Sequence, residues 1–321
     1  MSRELLTRLW RSWTLRIIAT ILLVGLVVWF SHPERLLTSA SKLGVINVVL
    51  AAILTVPFIY FKSLRWMYML RYAGSDATFS EAATSLVGGM GLALVTPARV
   101  GELSRVAYLR DTRKLRLSAL VMLDKFFDVL VLVLLAIVGA WVIFGIWAGL
   151  GFLALGLAGL AFTFFPKSFG GPISFIERKV PLGGKTKEIF SSLESLSLAA
   201  SALYVLLTLA AFVLVIIQFG IILRGSTHVN PGVAILTFPM IILTNVLPVT
   251  IAGLGIREGA AVLLLRPFHV SAATAAVSAF IMFFLNTAIP GIIGALIPLF
   301  RQTKAVAKPS ESPASTGDGG A

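Results

Sequence analysis

The hydrophobic positions of this chain fall into long runs, which short segments rich in arginine and lysine separate. Six of these runs are about long enough to cross a bilayer, the first only with its flanks: 17–30, 45–61, 117–144, 146–165, 199–223 and 271–300. A chain in lipid must satisfy its backbone hydrogen bonds internally, and these runs lack the alternation of a barrel strand. We therefore predict an all-α polytopic membrane protein with about 6–8 transmembrane helices.

Shorter apolar segments interrupt this pattern in each half of the chain. Residues 84–96 are glycine-rich and too short to span, which favours a re-entrant element. Residues 233–248 and 251–265 form two half-length pieces of a second broken element. With a cytoplasmic N-terminus, and with both elements returning to their own side, most basic residues lie inside, and those left outside are Arg35, Lys42, Arg224 and Arg266. The two broken segments then enter from opposite sides, as in inverted pseudo-repeats.

This pattern predicts a simple domain organisation. A basic N-terminus (residues 1–15) precedes one membrane domain (16–301), which contains a polar cytoplasmic loop (166–198). A tail rich in serine, proline, glycine and alanine (302–321) is predicted to be disordered and cytoplasmic. We expect a multi-pass protein of the cell membrane with both termini in the cytoplasm.

Composition narrows the function classes. The chain has 321 residues, of which 58% are hydrophobic and 13% charged, about half the charged fraction of a soluble domain. The net charge of +13 lies in short loops beside apolar runs, so we predict no nucleic-acid partner. Cysteine is absent, the three histidines lack metal-ligand spacing, and no nucleotide-binding loop is present. We therefore predict no metal, no cofactor and no enzymatic activity.

Charged residues follow the first broken segment. Pro97 suits the first position of a helix, on which Arg99 and Glu102 would share a face and Arg105 would add a second donor. A helix N-terminus with arginines attracts phosphate, so one interpretation is a phosphate-binding niche. The other is a cytoplasmic helix whose arginines pair with Glu102 and lipid head groups. Position alone favours neither.

A second charged group lies inside a predicted spanning helix. Asp124 and Asp128 are four residues apart and share a face, from which Lys125 should point away. A carboxylate at that depth is costly, so Asp128 should pair with Arg99 or Arg257, contact water or be protonated. An ion pair that locks the fold and a proton relay are the two roles to weigh.

The third charged group ends the second broken segment. Arg257 and Glu258 are adjacent, so they should not pair on one helix face, and each should need another partner. The nearby glycines, which permit tight turns or close helix contacts, are Gly253, Gly255 and Gly259. Asn245 and Asn286 are predicted to form interhelical hydrogen bonds.

Three ordered motifs carry a family resemblance: PARVGELSR at 97–105 (including Gly101), DKFFD at 124–128 and GLGIREG at 253–259. With these, the chain resembles the transmembrane region of lysylphosphatidylglycerol synthases, also called the flippase-like family, over roughly residues 15–300. The resemblance implies a stand-alone member without the soluble synthase domain. One departure is Asp124-Lys125, where the family pattern has Glu-Arg, so bidentate geometry at Lys125 is lost.

The resemblance implies a lipid transporter that moves an anionic or polyprenyl-linked lipid between leaflets. Membrane lipids of the anionic phospholipid, hopanoid or polyprenyl-phosphate type are the expected partners. The residues that would hold or orient the head group are Arg99, Glu102, Arg105, Asp124, Asp128, Arg257 and Glu258. The alternative is a non-catalytic partner or scaffold for a lipid- or glycan-modifying enzyme, docked through the 166–198 loop and the tail.

Overall fold

In a computed structural model of the chain, the regular elements of the described residues are helices. It describes residues 21–22, 34, 38, 41, 43–96, 100–111, 113–169, 196–226, 229–247 and 249–306. Within these ranges, five helical segments are long and apolar enough to cross a membrane, beginning at Val45, Arg116, Ile146, Leu198 and Ala272. This confirms the all-α polytopic fold class. The predicted first helix (17–30), most of the 166–198 loop and residues 307–321 lie outside the described residues.

Nine helices are present in the described part of the chain: α1 (Val45–Tyr72), α2 (Phe79–Val95), α3 (Lys114–Phe144), α4 (Ile146–Phe164), α5 (Leu198–Ser226), α6 (Gly232–Leu243), α7 (Ile256–Leu265), α8 (Ala272–Phe283) and α9 (Ile289–Val306). A 3-10 segment, Val100–Tyr108, lies between α2 and α3. Helix α9 continues to Val306 and so includes the first residues of the predicted tail.

Helix α1 is longer than the sequence indicates. The predicted apolar run ends at Phe61, with basic residues following at its cytoplasmic end, and the helix continues through these residues to Tyr72. Lys62, Arg65 and Trp66 are buried on this extension. The helix can bury these cations because they pair with carboxylates on α3, which offset the cost of removing them from water.

Helix α2 is also a regular helix, 17 residues long, in place of the weak element predicted over 84–96. It begins earlier, at Phe79, where the Thr78 hydroxyl accepts a hydrogen bond from the Glu81 N–H at 3.2 Å. Its glycines serve packing. A Cβ at Gly91 would lie 2.8 Å from the Ala295 nitrogen, and one at Gly294 would lie 1.9 Å from the Val87 carbonyl oxygen. Helices α2 and α9 therefore meet backbone to backbone.

The second broken element has the predicted form of two half-length helices. Helix α6 ends in a 3-10 turn, Thr244–Val246, and α7 begins at Ile256. The connection contains Gly253 and Gly255 at φ of 77° and 84°, which glycine adopts at little cost. A Cβ at Gly253 would also lie 2.3 Å from the Asn245 Oδ1 atom, so that position requires glycine for space as well.

The long apolar stretch after Ser271 contains a π turn, Phe284–Ala288, between α8 and α9. Pro290 follows it directly, and a proline removes a backbone donor and crowds the carbonyl four residues earlier. The helix accommodates this proline with the widened turn that precedes it. This turn places Asn286 and Thr287 at the interior of the protein.

The two largest apolar clusters among the described residues join helices that are distant in sequence. One is centred on Phe219 and Phe238, whose rings stack at 4.2 Å between α5 and α6. The other contains Trp66, Phe127 and Tyr204 from α1, α3 and α5. Trp66 and Phe127 of the second cluster are close in sequence to buried charged residues of α1 and α3, Arg65 and Asp128.

Close packing of α2 on α9 gives a first testable prediction. Gly294→Ala should lower the free energy of unfolding by about 1–3 kcal/mol, because its Cβ would force two helix backbones apart. The control is Gly151→Ala on α4, where a Cβ meets nothing within 4 Å, and this change should be neutral or slightly stabilising. Thermal unfolding of both variants in detergent measures the difference. Equal unfolding temperatures would contradict the packing described.

Candidate functional site

A cavity of about 320 Å³ lies between the two broken segments. Charged side chains from both halves of the chain line it, together with apolar side chains from α1, α5, α6 and α8. The charged and amide residues of the lining are Lys62, Glu102, Lys125, Asp128, Asn245, Arg257 and Asn286. The fold therefore brings the three sequence motifs to one place, although the third lies more than a hundred residues after the other two.

The 3-10 segment positions Glu102 and Arg105. It packs tightly on α2, since a Cβ at Gly101 would lie 2.4 Å from the Leu92 carbonyl oxygen and one at Gly89 would lie 2.6 Å from the Arg105 Cβ. The Gly101 N–H donates to the Thr96 hydroxyl at 2.7 Å, which fixes the start of the segment. These contacts hold Glu102 at the cavity and Arg105 behind it.

Asp124 is the centre of a fully buried ion network. One carboxylate oxygen lies 2.5 Å from Arg65 and the other 3.0 Å from Arg105. All three side chains are about 1% exposed. The Arg105 guanidinium also stacks on the Trp66 ring at 3.7 Å. The network joins α1, α3 and the 3-10 segment, so Arg105 is placed to lock the fold.

Asp128 pairs with two cations of α1 that are not among the predicted site residues. Its carboxylate lies 2.7 Å from Lys62 and 2.8 Å from Arg65, in place of the expected Arg99 or Arg257. The sequence does not single out Lys62 and Arg65, because they follow the apolar run at the predicted end of the helix. Their spacing of three residues, which puts both on one helix face opposite a carboxylate pair, was the available signal.

Lys125 lies at the cavity and does not point away from the carboxylates as predicted. It forms a salt bridge with Glu102 and lies 3.7 Å from Asp128. The direction of its Cβ atom on the helix predicts that Lys125 points away from Asp124 and Asp128. A lysine side chain is long enough, however, to bend back towards the helix face that carries them. Lys125 thereby connects the second motif to the first.

Arg257 and Glu258 pair with each other, so the expectation that adjacent residues could not do so is wrong. One Glu258 oxygen accepts from the Arg257 guanidinium, and the other accepts from the Gly255 N–H at 2.7 Å. The pairing works because Glu258 turns back to cap the first turn of α7, which brings its carboxylate within reach of Arg257. The guanidinium also lies 4.5 Å from the centre of the Phe283 ring.

The two amides differ in role. Asn286 donates to the Gln218 side-chain oxygen at 3.1 Å and accepts from the Thr55 hydroxyl at 3.3 Å, which confirms the predicted interhelical hydrogen bonds. Asn245 instead packs against Gly253 and lines the cavity. Pro97 and Arg99 lie outside the described residues, so the phosphate-binding niche at that turn stays a prediction.

A larger cavity of about 800 Å³ lies elsewhere, where α1 gives way to α2 and the 3-10 segment ends. It contains none of the predicted site residues. Hydrogen bonds from Arg113 lower the pKa of Asp111 there to about 2.

Within the described ranges, no three acidic or histidine side chains are grouped so that they could hold a metal ion. The smaller cavity is therefore the candidate site.

The buried network gives a second prediction. Asp124→Asn should lower the free energy of unfolding by about 3–5 kcal/mol, because Arg65 and Arg105 would lose their shared counter-charge. The matched control is Asp111→Asn, whose partner Arg113 is largely exposed, and its effect should be much smaller. Thermal unfolding in detergent checks both. A similar loss in the two variants would argue against a special role for Asp124.

Comparison with known proteins adds a family to this geometry. Residues 16–294 match the family described as lysylphosphatidylglycerol synthase TM region. A search of curated proteins found no match. The family match covers most of the chain and includes all three motifs, and it indicates a membrane protein with a lipid-related role. The chain belongs to the lysylphosphatidylglycerol synthase transmembrane-region family.

Proposed function

We propose that this protein moves an anionic lipid between the leaflets of the cell membrane and holds the head group in the 320 Å³ cavity without changing it covalently. Lipids with a phosphodiester or a polyprenyl-phosphate head group fit this proposal. The observation that carries it is the convergence of Glu102, Asp128 and Arg257 on one cavity. Charges kept inside a membrane domain usually serve a substrate or a partner.

The walls of the cavity suit a lipid because they change from polar to apolar. Lys62, Lys125 and Arg257 supply positive charge, and the remaining lining is largely aromatic and aliphatic, with Phe58, Phe212, Phe238, Phe283, Met90 and Leu132 among its members. A volume of about 300–1,000 Å³ is typical of small-molecule sites, so the cavity has room for a head group. Lipid tails would remain in contact with apolar side chains.

Fold locking accounts for only part of this charge. The Asp124 network joins three elements and needs no further function. The Arg257–Glu258 bridge, in contrast, joins neighbours on one helix and ties no two elements together. Arg257 also lines the cavity, so a head group held there would lie against its guanidinium.

Leaflet exchange tests the proposal directly. In proteoliposomes of phosphatidylcholine with fluorescent phosphatidylglycerol or a fluorescent polyprenyl phosphate, the wild type should speed exchange. Arg257→Gln should slow it by roughly 10–100-fold, the loss expected when a charged hydrogen bond is removed. Dithionite quenching of outer-leaflet fluorescence measures the rate.

The matched control is Arg266→Gln, nine residues away on the exposed surface, which should exchange lipid at the wild-type rate. Unfolding temperatures identify any variant that is merely misfolded, and Arg257→Lys keeps the charge if Arg257→Gln is unstable. Unchanged exchange in both Arg257→Gln and Arg99→Gln would contradict the site. A wild type without exchange would favour the scaffold for a lipid- or glycan-modifying enzyme.

A further inference from the structure

We propose that Lys125 is the residue that first receives the phosphate of the lipid head group, and that it releases Glu102 as it does so. This inference rests on the proposed function. Lys125 lines the same cavity as the head-group residues of that proposal. Its environment differs from that of every other cation in the charged cluster.

Lys125 differs from the other cations in how far its side chain is exposed outside the protein. The Lys125 side chain is 38% exposed, whereas Lys62, Arg65 and Arg105 are 9% or less exposed. Arg257 is likewise buried, at 5%. A head group arriving from outside the protein therefore meets Lys125 before it can reach another cation of the described cluster.

Lys125 also lies where the cavity opens. Its neighbour Met122, one turn earlier on α3, lines the cavity and is 42% exposed. Val246, at the end of the turn after α6, lines the cavity too and is 55% exposed. The exposed part of the lining thus runs from α3 to the end of α6, with Lys125 as its charged member.

The partners of Lys125 allow exchange. Its close partner is Glu102, and Asp128 lies at 3.7 Å and is already held by Lys62 and Arg65. Ion pairs with a partly exposed member are weak, so the Lys125–Glu102 bridge is the one in this cluster that costs least to open. A phosphodiester carries one negative charge, as a carboxylate does, so the charge beside Lys125 stays the same after the exchange.

The side chain itself suits this ligand. A lysine ammonium is a compact charge with three donors on a flexible stem, and it binds phosphate without the fixed planar geometry of a guanidinium. It can therefore accept a phosphate in several orientations and follow it inward. The ligand class is a lipid whose head group presents a phosphate, either a phosphodiester with one negative charge or a polyprenyl phosphate, a monoester with a charge of about −1.5 to −2 at pH 7.

The test is equilibrium binding of fluorescent phosphatidylglycerol to the purified full chain in detergent, with phosphatidylcholine as competitor. Lys125→Gln should weaken binding by about tenfold or more, and Lys125→Arg should restore most of it. Glu102→Gln should tighten binding, because the phosphate no longer competes with a carboxylate. Lys167→Gln, an exposed lysine outside the cavity, is the matched control and should bind as the wild type does.

Opposite effects of Lys125→Gln and Glu102→Gln support the exchange. Equal weakening in both, with lower unfolding temperatures, would mean that the bridge is structural and would overturn it. Wild-type binding that Lys125→Gln leaves unchanged would overturn this inference alone. A wild type that binds neither phosphatidylglycerol nor a polyprenyl phosphate would overturn the proposed function, and this inference with it.

Discussion

The site depends on the ion pairs that the Asp124 carboxylate forms with two buried guanidinium groups, those of Arg65 and Arg105. Arg65 brings α1 to the carboxylate, and Arg105 brings the 3-10 segment. Because Glu102 lies three residues before Arg105 and Lys125 follows Asp124, fixing this one carboxylate also fixes the bridge between them. A buried charge with two well-placed partners is stable only as a complete set, so the three elements keep a single relative position.

Charge in this molecule is divided between two tasks. The Asp124 network is closed to ligands and holds helices together. Around the cavity, the Lys125–Glu102 and Arg257–Glu258 bridges keep cations paired beside a lining that is otherwise largely apolar. Close backbone contacts, such as that of Gly294 with the Val87 carbonyl oxygen, hold the surrounding helices without bulky side chains. Tight packing of this kind is how helices associate where lipid gives no hydrophobic driving force.

Much of this could be predicted from sequence. The apolar runs gave the spanning helices, and the glycine-rich break before Arg257 gave two half helices. Lys62 and Arg65 could not be predicted as site residues, because they follow the apolar run of α1. The carboxylates that pair with them lie some sixty residues away in the sequence. Such partners are visible only once the helices are packed.

Side-chain reach explains the other errors. Helix periodicity gives the direction of a Cβ atom, but long side chains bend away from it. Lys125 turns towards Glu102, and Glu258 turns back towards the start of its helix. The Lys125–Glu102 and Arg257–Glu258 pairs are therefore not predicted by residue spacing on a helix. Spacing rules are therefore most reliable for short side chains such as Asp124 and Asp128.

Glu258 has a further consequence. Its two oxygens have separate tasks, one on the Gly255 N–H and one on the Arg257 guanidinium. The carboxylate that neutralises the cavity cation is thus the same group that starts α7. Any movement of Glu258 away from Arg257 must also strain or release the first turn of that helix. An anion that binds Arg257 would therefore compete with the carboxylate that caps α7, which couples the charge of the cavity to the first turn of this helix.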